Sequence, residues 1–274
     1  MRGDSRGLGD VLLALEALRQ GRMVLLYDFD DREGETDLVM AAGSVTPGDV
    51  FHMRRDAGGL MCVAVDPLAC SRLGIPYMSD VLRCACSSGQ GQGCPEGFPA
   101  IRSIYERAGD IPYDSRSSFS LWVNHRRTYT GITDIDRAMT INSLERVTGQ
   151  ALAGVPVDFG AEFRSPGHVP LLRAAPGLLQ ERRGQTELSI VLARAAGITP
   201  AMVVCEMLDG ETGRALSRED ACRYGQERGL AWVEGLEVEE LNRRMEAGEL
   251  ELWEMSCGKE LREGAEGKER RETS

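Results

Sequence analysis

The chain has 274 residues, 42% of them hydrophobic and 27% charged, with 32 Lys and Arg against 43 Asp and Glu and a formal net charge of −11. Such a length and mix suit a soluble globular protein with a substantial core. The acidic balance argues against nucleic acid as the main partner, because neutralising phosphates needs a basic face. No apolar run is long enough to cross a bilayer, and the polar start does not read as a signal peptide.

In chain order, residues 10–19 place Val11, Leu12, Leu15 and Leu18 on one helical face, closed by Gly21. Residues 23–27 are an apolar strand that runs straight into residues 28–37, Asp-Phe-Asp-Asp-Arg-Glu-Gly-Glu-Thr-Asp. Crowded carboxylates repel one another unless a cation or a basic partner shares the site. This many hard oxygen ligands suits Mg²⁺ or Mn²⁺, with Arg32 free to hold an anion. An EF-hand fails on register, since Val39 stands where the closing glutamate belongs.

Residues 38–42 form a second apolar run, and Thr46-Pro47-Gly48-Asp49 reads as a capped helix start. A strand is expected over 60–65. Residues 84–99 are rich in Gly, Ser, Gln and Cys and read as a surface insertion. Cys84, Cys86 and Cys94 lack a paired CxxC, so reactive thiols in a flexible loop are expected rather than a zinc site. A half-buried strand over 119–124, a polar turn over 125–133 and a helix over 136–147 follow. Pro166-Gly167-His168 reads as a loop before a short strand, and a helix from Arg182 to Ala196 opens on Arg-Arg-Gly-Gln-Thr. Free N–H groups there, with an arginine and a hydroxyl, make a candidate anion pocket. His168 is a candidate acid or base, whereas His52 and His125 are taken as surface residues. Strand 202–207 carries Glu206, a candidate desolvated carboxyl with a raised pKa.

A capped helix over 217–229 and a strand over 230–233 complete the alternation. Irregular connections favour a mixed sheet over a dinucleotide-binding fold, and no GxGxxG or P-loop is present. Residues 1–248 are expected to form one domain, and residues 249–274 a charged, disordered tail. Eight cysteines in a chain of this length do not read as a secreted disulfide framework, so a reducing cytoplasm is the expected setting.

Five motifs occur in order. They are Asp31-Arg32-Glu33-Gly34-Glu35-Thr36-Asp37, Gly59-Leu60-Met61-Cys62, the run from Thr128 to Ile141, Phe163-Arg164-Ser165-Pro166-Gly167-His168-Val169, and Cys205-Glu206. Together they resemble the 3,4-dihydroxy-2-butanone 4-phosphate synthase family of riboflavin biosynthesis, in an archaeal-like form, over roughly residues 8–238 apart from the Cys-rich segment. The resemblance implies an α/β fold of three layers around a mixed sheet, a homodimer, Mg²⁺ (or Mn²⁺) as cofactor, and ribulose 5-phosphate as substrate. It implies Glu33 as metal ligand, and Arg32, Glu33, Asp37, Cys62 and Thr130 near the substrate. Arg182, Arg183, Gly184, Gln185 and Thr186 would receive the phosphate end, with His168, Glu206 and Glu35 catalytic. One position departs from the family pattern, because Gln185 stands where the family has its second metal ligand, a histidine. A weakened or inactive homologue that binds a sugar phosphate is therefore the alternative.

Overall fold

The structure is a computed structural model that describes residues 9–87 and 104–249. Short, wholly buried apolar segments form its centre: β1 (Val24–Tyr27), β2 (Thr36–Ala41), β3 (Cys62–Val65) and β6 (Ala201–Glu206) have almost no exposed residue. With β4 (Phe119–His125), β5 (Phe163–Arg173) and β7 (Ala231–Glu234) they build a seven-stranded sheet in the order β4-β5-β3-β6-β2-β1-β7. Pairs β3–β5 and β1–β7 are parallel and the other four are antiparallel. The expected mixed sheet is present.

Alternate residues along each central strand feed two cores. Val24, Leu26, Val39, Cys62, Met202 and Val204 face α1 (Gly9–Arg19), α7 (Gln185–Ala196) and α9 (Gly235–Glu246). Leu25, Leu38, Met40, Val63, Val203 and Cys205 face the other layer, built from α2 (Pro47–Asp56), α3 (Pro67–Leu73), α5 (Asp134–Leu152) and α8 (Arg218–Arg228). Helix α4 (Met78–Ser87) and the single turn α6 (Phe159–Glu162) complete the elements used below. Helix α7 lies between α1 and α9 and is buried around almost its whole circumference, Arg194 excepted. That burial explains its apolar sequence, since a helix wetted on no face needs no polar stripe.

The local start and stop signals are realised. Thr46 and Asp49 form a reciprocal capping box at the start of α2. Ser217 caps α8 through the Asp220 N–H, and Gly197 and Gly229 end α7 and α8 in the left-handed conformation.

Several expectations are corrected. Cys84 lies on α4 rather than in an aperiodic loop, whereas the Cys86 side chain and Cys94 fall outside the described residues, as does the tail from residue 250. His125 is buried, packed edge-on against Phe163 and 3.7 Å from Glu162. His52 is half-buried, with Nε2 2.7 Å from the Tyr224 hydroxyl. His168 belongs to no separate loop. Val123 pairs with Val169 and the next residue, Asn124, pairs with Arg164, so residues 165–168 bulge out of the continuous strand β5.

Candidate active site

The acidic loop after β1 is organised by Asp28, which is buried. Its Oδ1 accepts from the Glu35 N–H at 2.9 Å, and its Oδ2 accepts from the Glu33 N–H at 3.1 Å and from Arg32 Nη1 at 3.0 Å. Gly34 turns the chain back with φ +66°. The loop thereby presents Arg32 and Glu33 beside β2, where Asp37 is paired with Glu206 of β6.

At this end of the sheet, one cavity is lined by Glu33, Asp37, Cys62, Arg182, Gln185, Thr186 and Glu206, all expected from the sequence. Ile111, Tyr113, Asp114, Ser117 and Ser118 line it as well. The Asp114 carboxylate bridges Arg32 Nη2 at 2.6 Å and Arg182 Nη2 at 2.7 Å, while Arg182 Nη1 reaches the buried Glu187 at 2.6 Å. The Tyr113 ring lies against the Arg32 guanidinium, 5.2 Å from its centroid. A side chain on Gly184 would meet Arg182 Nη1 at 2.1 Å and Arg32 Nη2 at 2.9 Å, so only glycine lets both arginines close over the start of α7. Ser118 and Thr186 share a hydrogen bond of 3.1 Å between hydroxyls.

The charge balance at the carboxylates is unfavourable. Burial, followed by the Glu206 and Glu33 carboxylates, pushes Asp37 well above the usual carboxyl range. Burial raises Glu206 too, against a backbone hydrogen bond that lowers it, with Glu33 adding to the rise. Glu35 is raised by burial and then by Glu33, Glu206 and Asp28. Burial, then Glu206, holds the Cys62 thiol far above its ordinary value, so it sits there as a neutral thiol rather than a thiolate.

Gln185 offers a side-chain oxygen to the cavity at the start of α7. Its Nε2 donates to the main-chain oxygens of Leu26 at 3.0 Å and Glu35 at 3.1 Å. Two carbonyls can be faced only by the amide NH₂, so the network also fixes Oε1. That oxygen is buried and has no hydrogen-bond partner, and neither oxygen of Asp37 has one. Unpartnered buried acceptors are costly, and a hard cation accepts oxygen donors of this kind. Among the described residues no three His, Cys, Asp or Glu side chains converge on one point. Gln185 Oε1 and the Asp37 carboxylate are therefore the unpartnered oxygen donors that line this cavity, while Glu33 beside them is held by Arg32 Nη1 at 2.7 Å.

The structure separates Arg183, His168 and Thr130 from this cavity. Arg183 turns away, its guanidinium over the Phe29 ring and 2.6 Å from Glu239. His168 and Thr130 line a second place, beyond β3 at the β4–β5 edge, where both are exposed. Tyr113, Asp114 and Asn124 had no local sequence signal. Their roles arise from contacts between distant segments, as between Asp114 and Arg32, 82 residues apart.

The sequence model of 3,4-dihydroxy-2-butanone 4-phosphate synthase matches residues 13–241. The chain is 57% identical over 227 residues to the enzyme of that name from Methanosarcina mazei, covering 83% of this chain and 88% of that one. It is 52% identical over 240 residues to that of Archaeoglobus fulgidus, covering 88% and 97%. A solved structure of a 3,4-dihydroxy-2-butanone 4-phosphate synthase in complex with two magnesium ions superposes with a TM-score of 0.62 at 26% identity, over 86% of this chain and 97% of that one. Another, from Candida albicans, gives 0.63 at 28% identity, over 84% and 95%. With this match spanning both its sheet and its carboxylate-lined cavity, the chain belongs to the 3,4-dihydroxy-2-butanone 4-phosphate synthase family of enzymes.

Proposed function

We propose that this enzyme converts D-ribulose 5-phosphate into 3,4-dihydroxy-2-butanone 4-phosphate and formate, a step of riboflavin biosynthesis, with Mg²⁺ or Mn²⁺ as cofactor. The observation that carries the reading is one cavity with an arginine-lined end and a carboxylate pair, buried Asp37 and half-buried Glu206. Arg182, Thr186 and the start of α7 at Gly184 receive the phosphate end of the substrate, and Arg32 reaches over it.

Glu33 and Gln185 Oε1 would hold the metal ion, which would supply a Lewis acid beside the oxygens that gain negative charge. Glu206 and Glu35, whose pKa values are raised, hold protons tightly enough to serve as acids and accept them well once ionised. They exchange protons with the reacting carbon and the departing hydroxyl. Asp37 binds sugar hydroxyls, and Cys62 closes the wall as a neutral neighbour. His168 contacts a substrate oxygen.

His168 and Thr130 serve the cavity of a second copy in a homodimer. Tyr129 is 95% exposed, and Ile132 and Ile135 beside it are also exposed, which suits a face covered by a partner. Residues 1–248 act as one catalytic domain. A reducing cytoplasm fits the free thiols of Cys62, Cys70, Cys205 and Cys222.

Incubation with ribulose 5-phosphate and Mg²⁺ should release formate. Binding of the sugar phosphate with no formate at any metal concentration would favour an inactive homologue instead.

A further inference from the structure

His168 owes its place to Asn124. The Asn124 amide is fully buried beneath the bulge of residues 165–168. Its Oδ1 accepts from the His168 backbone N–H at 2.8 Å. Its Nδ2 lies 3.0 Å from His168 Nδ1 and 3.5 Å from the Thr130 carbonyl oxygen. Reversing the amide would set NH₂ against a backbone N–H and an oxygen against a carbonyl, so the network chooses the orientation. Oδ1 stands 3.3 Å from Nδ1 and is already engaged by the main chain, which makes it the poorer partner for the ring. The NH₂ group therefore donates to Nδ1, and a neutral imidazole that accepts at Nδ1 carries its proton on Nε2.

One motif glycine closes on this amide and another on the backbone beside it, both without spare room. A Cβ on Gly131 would lie 2.0 Å from Asn124 Nδ2, and one on Gly167 would lie 1.9 Å from the Val123 carbonyl carbon. The Thr130–Gly131 turn is itself held by Asp136 Oδ2, which accepts from both backbone N–H groups at 3.1 and 2.8 Å.

We propose that Asn124 is a positioning residue that holds His168 as the Nε2-protonated imidazole, so that His168 offers the substrate a hydrogen-bond donor and not a base. The proposal rests on the reading of His168 as a substrate-contacting group. A purely structural amide would support the bulge equally well with either ring tautomer, and that difference is measurable.

The test is long-range proton–nitrogen NMR of protein labelled with ¹⁵N-histidine, at a pH where imidazoles are neutral. The chain has three histidines, and loss of a signal in His168→Gln assigns the one of interest. We expect His168 to be protonated on Nε2. Asn124→Asp keeps an acceptor for the His168 N–H and replaces the donor facing Nδ1. The ring proton should then move to Nδ1 and turnover should fall by about 100-fold or more, within the range of one lost hydrogen-bond donor to developing charge, with KM for ribulose 5-phosphate nearly unchanged. A parent ring protonated on Nδ1 overturns the proposal, a result that needs no variant to fold. So does a folded Asn124→Asp protein with unchanged tautomer or unchanged turnover. If His168→Gln is fully active, the catalytic reading of His168 fails, while the spectrum of the parent still decides where the proton sits.

Discussion

Asp37 and Glu206 occupy the same rung of the β2–β6 ladder, so their side chains leave the sheet on one face and meet at its end. Neither oxygen of Asp37 has a hydrogen-bond partner, and burial and repulsion both favour its protonated form. In metal-free protein this pair destabilises the fold as pH rises. Above the ordinary carboxyl pKa of about 4, the unfolded chain has lost protons that the folded pair still binds, so stability falls until the raised folded values are passed. Asp37→Asn should therefore melt higher than the parent in chelator, by a margin that grows from about pH 4 towards neutrality. Melting curves across that range decide it, and a margin that shrinks with pH would contradict the assignment.

The Gln185 amide already spends both N–H groups on the Leu26 and Glu35 carbonyls. A histidine there could give up at most one ring N–H while offering a more basic nitrogen to a cation. Gln185→His should tighten Mn²⁺ binding, measured calorimetrically without substrate, within the roughly 10–100-fold range typical of a ligand change. Glu33→Ala should abolish that binding while the fold persists. Equal affinity in Gln185→His and parent would place residue 185 outside the metal shell.

Asp114 stands between the two guanidinium groups that would meet a phosphate. A fixed carboxylate competes with any anion for those donors. Asp114→Asn should thus bind inorganic phosphate about 10-fold more tightly, the equivalent of roughly one charged hydrogen bond. Weaker phosphate binding would show instead that Asp114 preorganises Arg32 and Arg182.

Gly167→Ala tests the bulge sterically. The added carbon would overlap backbone atoms of Val123 and Asn124, which cannot rotate away as a side chain could. We expect a loss of stability of about 1–3 kcal/mol, as overpacking usually causes, together with a displaced His168 and strongly reduced formate production. Urea denaturation and a formate assay report the two effects separately, and unchanged values in both would refute the geometry.

Leu188 faces the α7-side core and is wholly buried. Leu188→Ala should lower stability by about 2–5 kcal/mol, read from denaturant midpoints, without altering metal affinity in the fraction that remains folded. A change below 1 kcal/mol would mean that α7 is less tightly packed than its burial indicates.

Local chemistry made much of this protein readable in one dimension. The capping box at Thr46 and Asp49, the terminal glycines 197 and 229, and the apolar strands 24–27 and 201–206 obey short-range rules, and the structure keeps them. Three of the ordered motifs, around Glu33, Cys62 and Glu206, and the helix start at Gln185 contain residues that line one cavity. What the chain order could not express was adjacency. His125 looked solvent-facing in a polar turn, yet Phe163 covers it. His168 looked like loop, yet the strand continues on both sides of it. Asp114 sat in an unremarkable polar stretch until folding placed it between Arg32 and Arg182. Propensity and periodicity act over a few residues, whereas burial, charge pairing and the hydrogen bond that selects an imidazole tautomer depend on groups 44 to 159 positions apart, which only the packed sheet brings together.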